Sequence, residues 1–106
     1  MLIAFAESLR SRVRETDVVA RHGGEEFLVV LDGATRDDAV RLAEEVRVVF
    51  GARSVLRPDG TAVTCTVSAG CASLEPTQSS SAVLLERADV GLGLAKEGGR
   101  NRVVAA

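Results

Sequence analysis

The residues Arg21-His22-Gly23-Gly24-Glu25-Glu26-Phe27 concentrate chemistry: two glycines run into two carboxylates and an aromatic ring, just before an apolar run. Without Cβ atoms, Gly23 and Gly24 leave the turn free to take positive φ and let a ligand approach the backbone closely. Glu25 and Glu26 beside exposed amides suit a magnesium-phosphate ligand, with hard oxygens for the metal and N–H donors for the phosphate. The same four residues equally suit a plain Gly-Gly hairpin with solvated glutamates. Strand alternation sends the two carboxylates to opposite sides unless the turn brings them together. His22 reads as a surface turn residue and Phe27 as the anchor of the hairpin in the core. The basic residues are lopsided, twelve arginines against the single lysine Lys96.

The elements around this turn must hold it. Leu2 to Arg14 carries Ile3, Ala6, Leu9 and Val13 at three-to-four spacing, the pattern of an amphipathic helix. Asp17 to Arg21 and Phe27 to Leu31 flank the glycines as the two arms of a hairpin. Thr35 is a good N-cap with Asp37 and Asp38 in the first turn, ahead of a helical stripe of Ala39, Leu42, Ala43, Val46, Val49 and Phe50. Pro58-Asp59-Gly60 marks a turn between the strands 53–56 and 61–74. In the second run Val63, Cys65, Val67, Ala69 and Cys71 share one face, predicting one long strand. Residues Ser79 to Ser81 cap a third helix through Val83, Leu84, Ala88, Leu92 and Ala95, which Gly98-Gly99 ends before a short strand at 102–105. The order α–ββ–α–ββ–α–β predicts an α+β sandwich with an antiparallel-rich sheet and helices packed on it, as a single domain over 1–106.

Composition bounds the function. A chain of 106 residues with 46% apolar content and mean hydropathy of +0.16 has the makings of a folded globule. A net charge of −2 gives no basis for binding a nucleic-acid polymer or an anionic membrane. The apolar start is too short for a membrane span and lacks the form of a signal peptide, which predicts a cytoplasmic protein. Cys65 and Cys71 lie six apart in one predicted strand, roughly 20 Å, too far for a disulfide. Neither has metal-ligand spacing, so both read as buried small hydrophobes.

With its basic approach and apolar exit, the GGEEF stretch resembles the signature of the GGDEF family, the diguanylate cyclases. Three further segments resemble family motifs in the same order. "RETD", Arg14 to Asp17, matches the RxxD inhibitory site that binds the product, cyclic di-GMP. "TVSAG", Thr66 to Gly70, resembles the TxSxG strand. "ADVGLGLAKEGGRN", Ala88 to Asn101, resembles the AD-x-ALY-x-AK-x-x-GRN helix end. The resemblance implies a ferredoxin-like, nucleotide-cyclase palm sandwich that joins two GTP into cyclic di-GMP and releases pyrophosphate. It implies Glu25 as a ligand of a Mg²⁺ (or Mn²⁺) centre and as the group that helps deprotonate the attacking 3′-hydroxyl, with Glu26 as a further metal ligand. Gly23 and Gly24 would pass the GTP phosphates, and Lys96 and Arg100 would hold the terminal ones. Four apart at a helix end, those two cations can reach one anion from the same face. Arg14 would grip phosphate or guanine of the product, and Asp17 would accept from the guanine edge; without the resemblance, the pair reads as the polar end of a helix.

The chain also departs from the family pattern. It starts inside the family's second helix, so the first strand with its metal-binding Asp and the guanine-recognising Asn-Asp stretch have no counterpart. The expectation is a partial GGDEF domain with backbone edges unpaired beside the hairpin, a homodimer for catalysis, an upstream sensor or receiver domain in the parent protein, and no turnover by this chain alone. Gly91 and Gly93 replace the Ala and Tyr of ALY, each at about 1 kcal/mol relative to alanine in a helix interior. The alternative within the family is a non-catalytic regulatory module that binds cyclic di-GMP through Arg14 and Asp17.

Overall fold

In the computed structural model, residues 9–21, 23–73 and 81–105 are described. The hairpin forms where the β-branched and apolar runs predict it. Strand β1 (Val18–Arg21) pairs antiparallel with β2 (Phe27–Val30), with Val18 opposite Val30 and Arg21 opposite Phe27. Helix α1 (Arg36–Ala52) follows. Its start is a reciprocal cap: the Asp38 amide donates to Thr35 Oγ1 at 3.2 Å, and the Thr35 amide donates to Asp38 Oδ2 at 3.0 Å. Two of the four orphan donors at the helix start are thereby satisfied. From the predicted stripe Val46 and Phe50 are buried, four residues apart on one face, while Val49 lies at the margin and is exposed.

Two short strands come next, β3 (Val55–Leu56) and β4 (Ala62–Val63), antiparallel around the predicted Pro58-Asp59-Gly60 turn, where Gly60 has φ of +87°. The long strand predicted over 61–74 is broken. After β4 the chain makes no ladder until β5 (Ala69–Cys71). Side-chain alternation persists through the gap, with Val63, Cys65 and Val67 half-buried and Thr64 and Thr66 exposed. Alternation follows from extended backbone, whereas a ladder needs a paired strand, and among the described residues 64–68 carries no ladder. From Ser68 onward both faces are covered.

Helix α2 (Ser81–Glu97) covers one of those faces and returns the chain to β6 (Val103–Ala105), which pairs with β5 in parallel. A parallel pair needs a crossover connection, which α2 supplies. The predicted cap at Ser79 and Ser80 lies outside the described residues, as does most of the predicted first helix, of which Leu9 and Arg10 are helical. That helix ends sooner than its pattern suggested, in a turn at Ser11 and Arg12.

Helix α2 and strand β5 meet at glycine. An ideal Cβ on Gly70 would stand 2.0 Å from the Ala88 carbonyl oxygen, 2.2 Å from the Leu92 nitrogen and 2.8 Å from the Gly91 carbonyl carbon. Gly91 is itself buried. At Gly70 the helix backbone therefore rests directly on the strand backbone. Gly93 has none of this, since a Cβ there meets nothing within 4 Å.

The described strands form three two-stranded sheets, two antiparallel and one parallel, rather than one continuous sheet. Both helices pack on the β5–β6 pair, where Cys71 and Ala95 join Val46, Phe50 and Leu9 in a core of modest side chains. The hairpin stands apart, and among the described residues no strand carries a ladder from it to β5–β6. One of its faces, with the opposed pair Val18 and Val30, is open to solvent.

Candidate functional site

Two polar tethers tie the hairpin to its surroundings, and each falls on predicted site residues. At the hairpin tip, Lys96 Nζ lies 3.5 Å from Glu26 Oε1, joining residues 70 apart in sequence. Lys96 sits in the last turn of α2, where a cation complements the helix dipole. Both side chains are about two-fifths exposed, so the pair contributes under about 1 kcal/mol. Its value is positional: the fold carries the single lysine to the acidic turn. Glu25 is exposed and has no ion pair among the described residues.

Gly23 and Gly24 do not have the positive φ that the sequence suggested. A Cβ on Gly24 would meet nothing within 4 Å, and one on Gly23 only the Cβ of Glu26, at 3.9 Å. Neither backbone conformation nor internal packing accounts for glycine here. What the absent Cβ atoms do leave is an open face on the turn. The turn is held from behind by Arg21, whose Nε donates to the Gly23 carbonyl at 3.2 Å and whose Nη2 donates to the Gly24 carbonyl at 2.7 Å.

Arg100 occupies an unusual backbone. Gly99, Arg100 and Asn101 have φ of +115°, +65° and +48° in succession. For the two non-glycine residues this conformation costs about 1 kcal/mol or more each. Three contacts hold it: the Arg100 amide donates to the Ala95 carbonyl at 2.9 Å, the Asn101 amide to Ser68 Oγ at 3.1 Å, and Arg47 Nη1 to Asn101 Oδ1 at 3.0 Å. Arg47 is anchored in turn by Glu44, whose carboxylate is held below its ordinary range by that guanidinium. The exposed Arg100 side chain thus rises from a braced turn directly after the helix that carries Lys96.

The second tether is Arg14 and Asp17. The Asp17 carboxylate receives the Arg14 amide at 2.8 Å, Arg14 Nη2 at 3.4 Å and the Asp32 amide at 3.2 Å; Arg14 Nη2 also donates to the Asp32 carbonyl at 2.6 Å. The pair staples the segment before β1 to the end of β2. The Arg14 amide, then its guanidinium and the Asp32 amide, hold the Asp17 carboxyl below its ordinary range against the opposing effect of burial. Asp17 exposes 3% of its side chain and Arg14 65%. The arginine is presented outward and the aspartate is turned inward, beside a cavity of about 260 Å³ lined by Arg12, Arg14, Asp17 and Asp38 over Leu31 and Leu42.

The donor chemistry at the turn is right for a hard divalent cation, but the donor number is not. Glu25 and Glu26 are two carboxylates, one of them paired with Lys96, and no group of three or more metal-ligating side chains converges among the described residues. These residues alone do not complete a six-oxygen magnesium site. Cys65 and Cys71 are free thiols, and burial pushes Cys71 up, away from reactivity. No described helix is long and apolar enough to cross a membrane.

Of the predicted residues, the structure brings Glu26 to Lys96 and Arg14 to Asp17, and places Arg100 on the turn that follows Lys96. Sequence reasoning gave no role to Arg21, Asp32, Arg47, Ser68 or Asn101. Ser68 and Asn101 lie inside the "TVSAG" and "GRN" segments, which was a usable signal; Asp32, acting through its backbone, leaves none.

Comparison with known proteins shows the family and the fold. Residues 1–102 match the family described as diguanylate cyclase, GGDEF domain. Diguanylate cyclase A of Treponema denticola is 37% identical over 97% of this chain and 28% of its own length. The response regulator PleD of Caulobacter vibrioides is 37% identical over 98% of this chain and 23% of its own. Among solved structures, the GGDEF domain of DgcB from Caulobacter crescentus, in complex with c-di-GMP, superposes with a TM-score of 0.91 at 32% identity, covering 98% of this chain and 61% of that one. The active GGEEF domain of a diguanylate cyclase from Vibrio cholerae gives 0.86 at 30% identity, covering 98% and 65%. The chain therefore spans about a quarter of these curated relatives and under two thirds of these solved domains.

Proposed function

We propose that this chain, which belongs to the GGDEF domain family of diguanylate cyclases, supplies the phosphate-binding side of a site that joins two GTP into cyclic di-GMP. The reaction makes two phosphodiester bonds, each by attack of a 3′-hydroxyl on an α-phosphate, and releases two pyrophosphates. Two copies of the domain, each presenting one GTP, satisfy that symmetry. Lys96 and Arg100 neutralise the terminal phosphates, where charge accumulates as pyrophosphate leaves. Gly23 and Gly24 give those phosphates access to the backbone. Glu25 and Glu26 are this chain's carboxylates toward Mg²⁺ or Mn²⁺, which would add Lewis acidity at the phosphate, and Glu25 accepts the hydroxyl proton.

The observation that carries this reading is the 3.5 Å approach of Lys96 to Glu26. A helix end and a hairpin tip 70 residues apart converge with the cation and carboxylate that a metal-bound triphosphate needs. An exposed pair worth so little is readily exchanged for ligand. Calorimetry with GTP and Mg²⁺ tests it. The double change Lys96→Ala, Arg100→Ala should weaken binding by at least about ten-fold, since each removes a charge-assisted contact. Unchanged affinity would overturn the assignment.

The second reading, a module that binds cyclic di-GMP through Arg14 and Asp17, is favoured by the exposed Arg14 beside the 260 Å³ cavity. The ligand of the DgcB structure is c-di-GMP. In this reading the inward Asp17 chiefly orients Arg14. Calorimetric binding of cyclic di-GMP that Arg14→Ala removes would support it, and an unmutated chain that gives no heat would refute it.

A further inference from the structure

We propose that Arg21 is a positioning residue: by holding the carbonyls of Gly23 and Gly24, it aims the Gly24 and Glu25 amides outward as an anion-binding pair for nucleotide phosphate. The inference rests on the nucleotide reading above and adds a residue and a mechanism to it.

The geometry follows from planar peptides. Both carbonyls point at one guanidinium, at 3.2 Å and 2.7 Å. Every peptide here is trans, and a trans peptide directs its N–H opposite to its C=O. The N–H groups of Gly24 and Glu25 therefore both point away from Arg21. Neither donates to a described acceptor, whereas the Gly23 amide is used internally, on the Glu26 carbonyl at 3.4 Å. Two adjacent unengaged donors on one side of a turn form a concave anion site.

The glycines fit the same account. Neither needs positive φ, and neither is crowded. Side chains there would screen the outward amide face, which glycine leaves bare. Lys96 Nζ stands 3.5 Å from the carboxylate of the next residue, Glu26, so an ammonium is already at this turn. A planar fork holds the two carbonyls in one fixed relative orientation; a lysine in place of Arg21 keeps the charge and loses the fork.

The test is amide NMR of the ¹⁵N-labelled chain titrated with sodium tripolyphosphate. In the unmutated protein the Gly24 and Glu25 amides should shift downfield and saturate together with Lys96. Arg21→Lys should keep the Val18–Val30 ladder, read from cross-strand contacts, yet lose most of both amide shifts and weaken binding about ten-fold. Movement of Lys96 with Gly24 and Glu25 silent would overturn the proposal and leave the nucleotide reading standing. Full shifts and full affinity in Arg21→Lys would also overturn it, as would collapse of the ladder, which would make Arg21 a hairpin staple. Silence at all three residues would overturn both readings.

Discussion

Replacing Gly70 with alanine is the sharpest probe of how this domain is assembled. The new Cβ would sit 2.0 Å from the Ala88 carbonyl oxygen and 2.2 Å from the Leu92 nitrogen. Normal contact needs about 3.5 Å, so α2 must retreat from β5 by roughly 1 to 1.5 Å. The obstructing atoms are all backbone, so no side chain can rotate away. Overpacking of this kind costs about 1–3 kcal/mol, and rigid partners on both sides place it at the upper end. Alanine's lower unfolded-state entropy returns less than about 1 kcal/mol. We expect a net loss of about 2 kcal/mol, which at a urea slope near 1 kcal/mol/M lowers the midpoint by about 2 M. Hydrogen exchange should show the loss first at Ala69 and at Val103 to Ala105, the β5–β6 ladder. A variant as stable as the parent within about 0.5 kcal/mol, or more stable as alanine-for-glycine usually is, would refute the backbone-on-backbone contact.

Gly93→Ala is the complementary case. With nothing within 4 Å of the new Cβ, inside a helix, it should stabilise by about 0.5–1 kcal/mol in the same urea titration. Thr35→Ala removes one half of the reciprocal cap on α1 and should destabilise by about 1 kcal/mol, visible as reduced helicity and a lower thermal midpoint. Asp17 has a folded-state pKa below its ordinary value of 3.8, so its contribution is complete above that value and is lost as pH falls through the lowered one. As pH falls below about 3.8 the hairpin amides should therefore lose protection, and Asp17→Asn should flatten that part of the profile; an identical profile would exclude Asp17 as the staple.

What the sequence shows well is what neighbours in the chain decide. Thr35 with Asp38 is a local cap, Gly98-Gly99 a local stop, and Pro58-Asp59-Gly60 a local turn, and all three stand where their chemistry puts them. The run from Val63 to Cys71 shows the limit. Its alternation is real and visible in burial, but a ladder depends on what lies beside it, and among the described residues Val63 ladders with β3 and Ala69 to Cys71 with β6, with no ladder between them. The parallel direction of the β5–β6 pairing goes with the strand–helix–strand order. The need for glycine at position 70 is hidden in the same way, because the backbone it meets, at Ala88 to Leu92, lies about 20 residues later. The site follows the same rule. Motif spacing singled out Glu26, Lys96, Arg14 and Asp17, which the fold brings together two by two. Their surroundings are held through backbone atoms, by Arg21 on the Gly23 and Gly24 carbonyls and by Arg14 on that of Asp32, and such contacts leave no mark on residue spacing.

In the proposed function the Gly23–Glu26 turn and the Lys96–Arg100 helix end form one phosphate site. Paramagnetic broadening by Mn²⁺–GTP measures this without relying on turnover. The account predicts that amides of both segments broaden together, at the same ligand concentration, with those of Leu56 and Ala62 on the β3–β4 pair unaffected. Broadening of one segment without the other would contradict it.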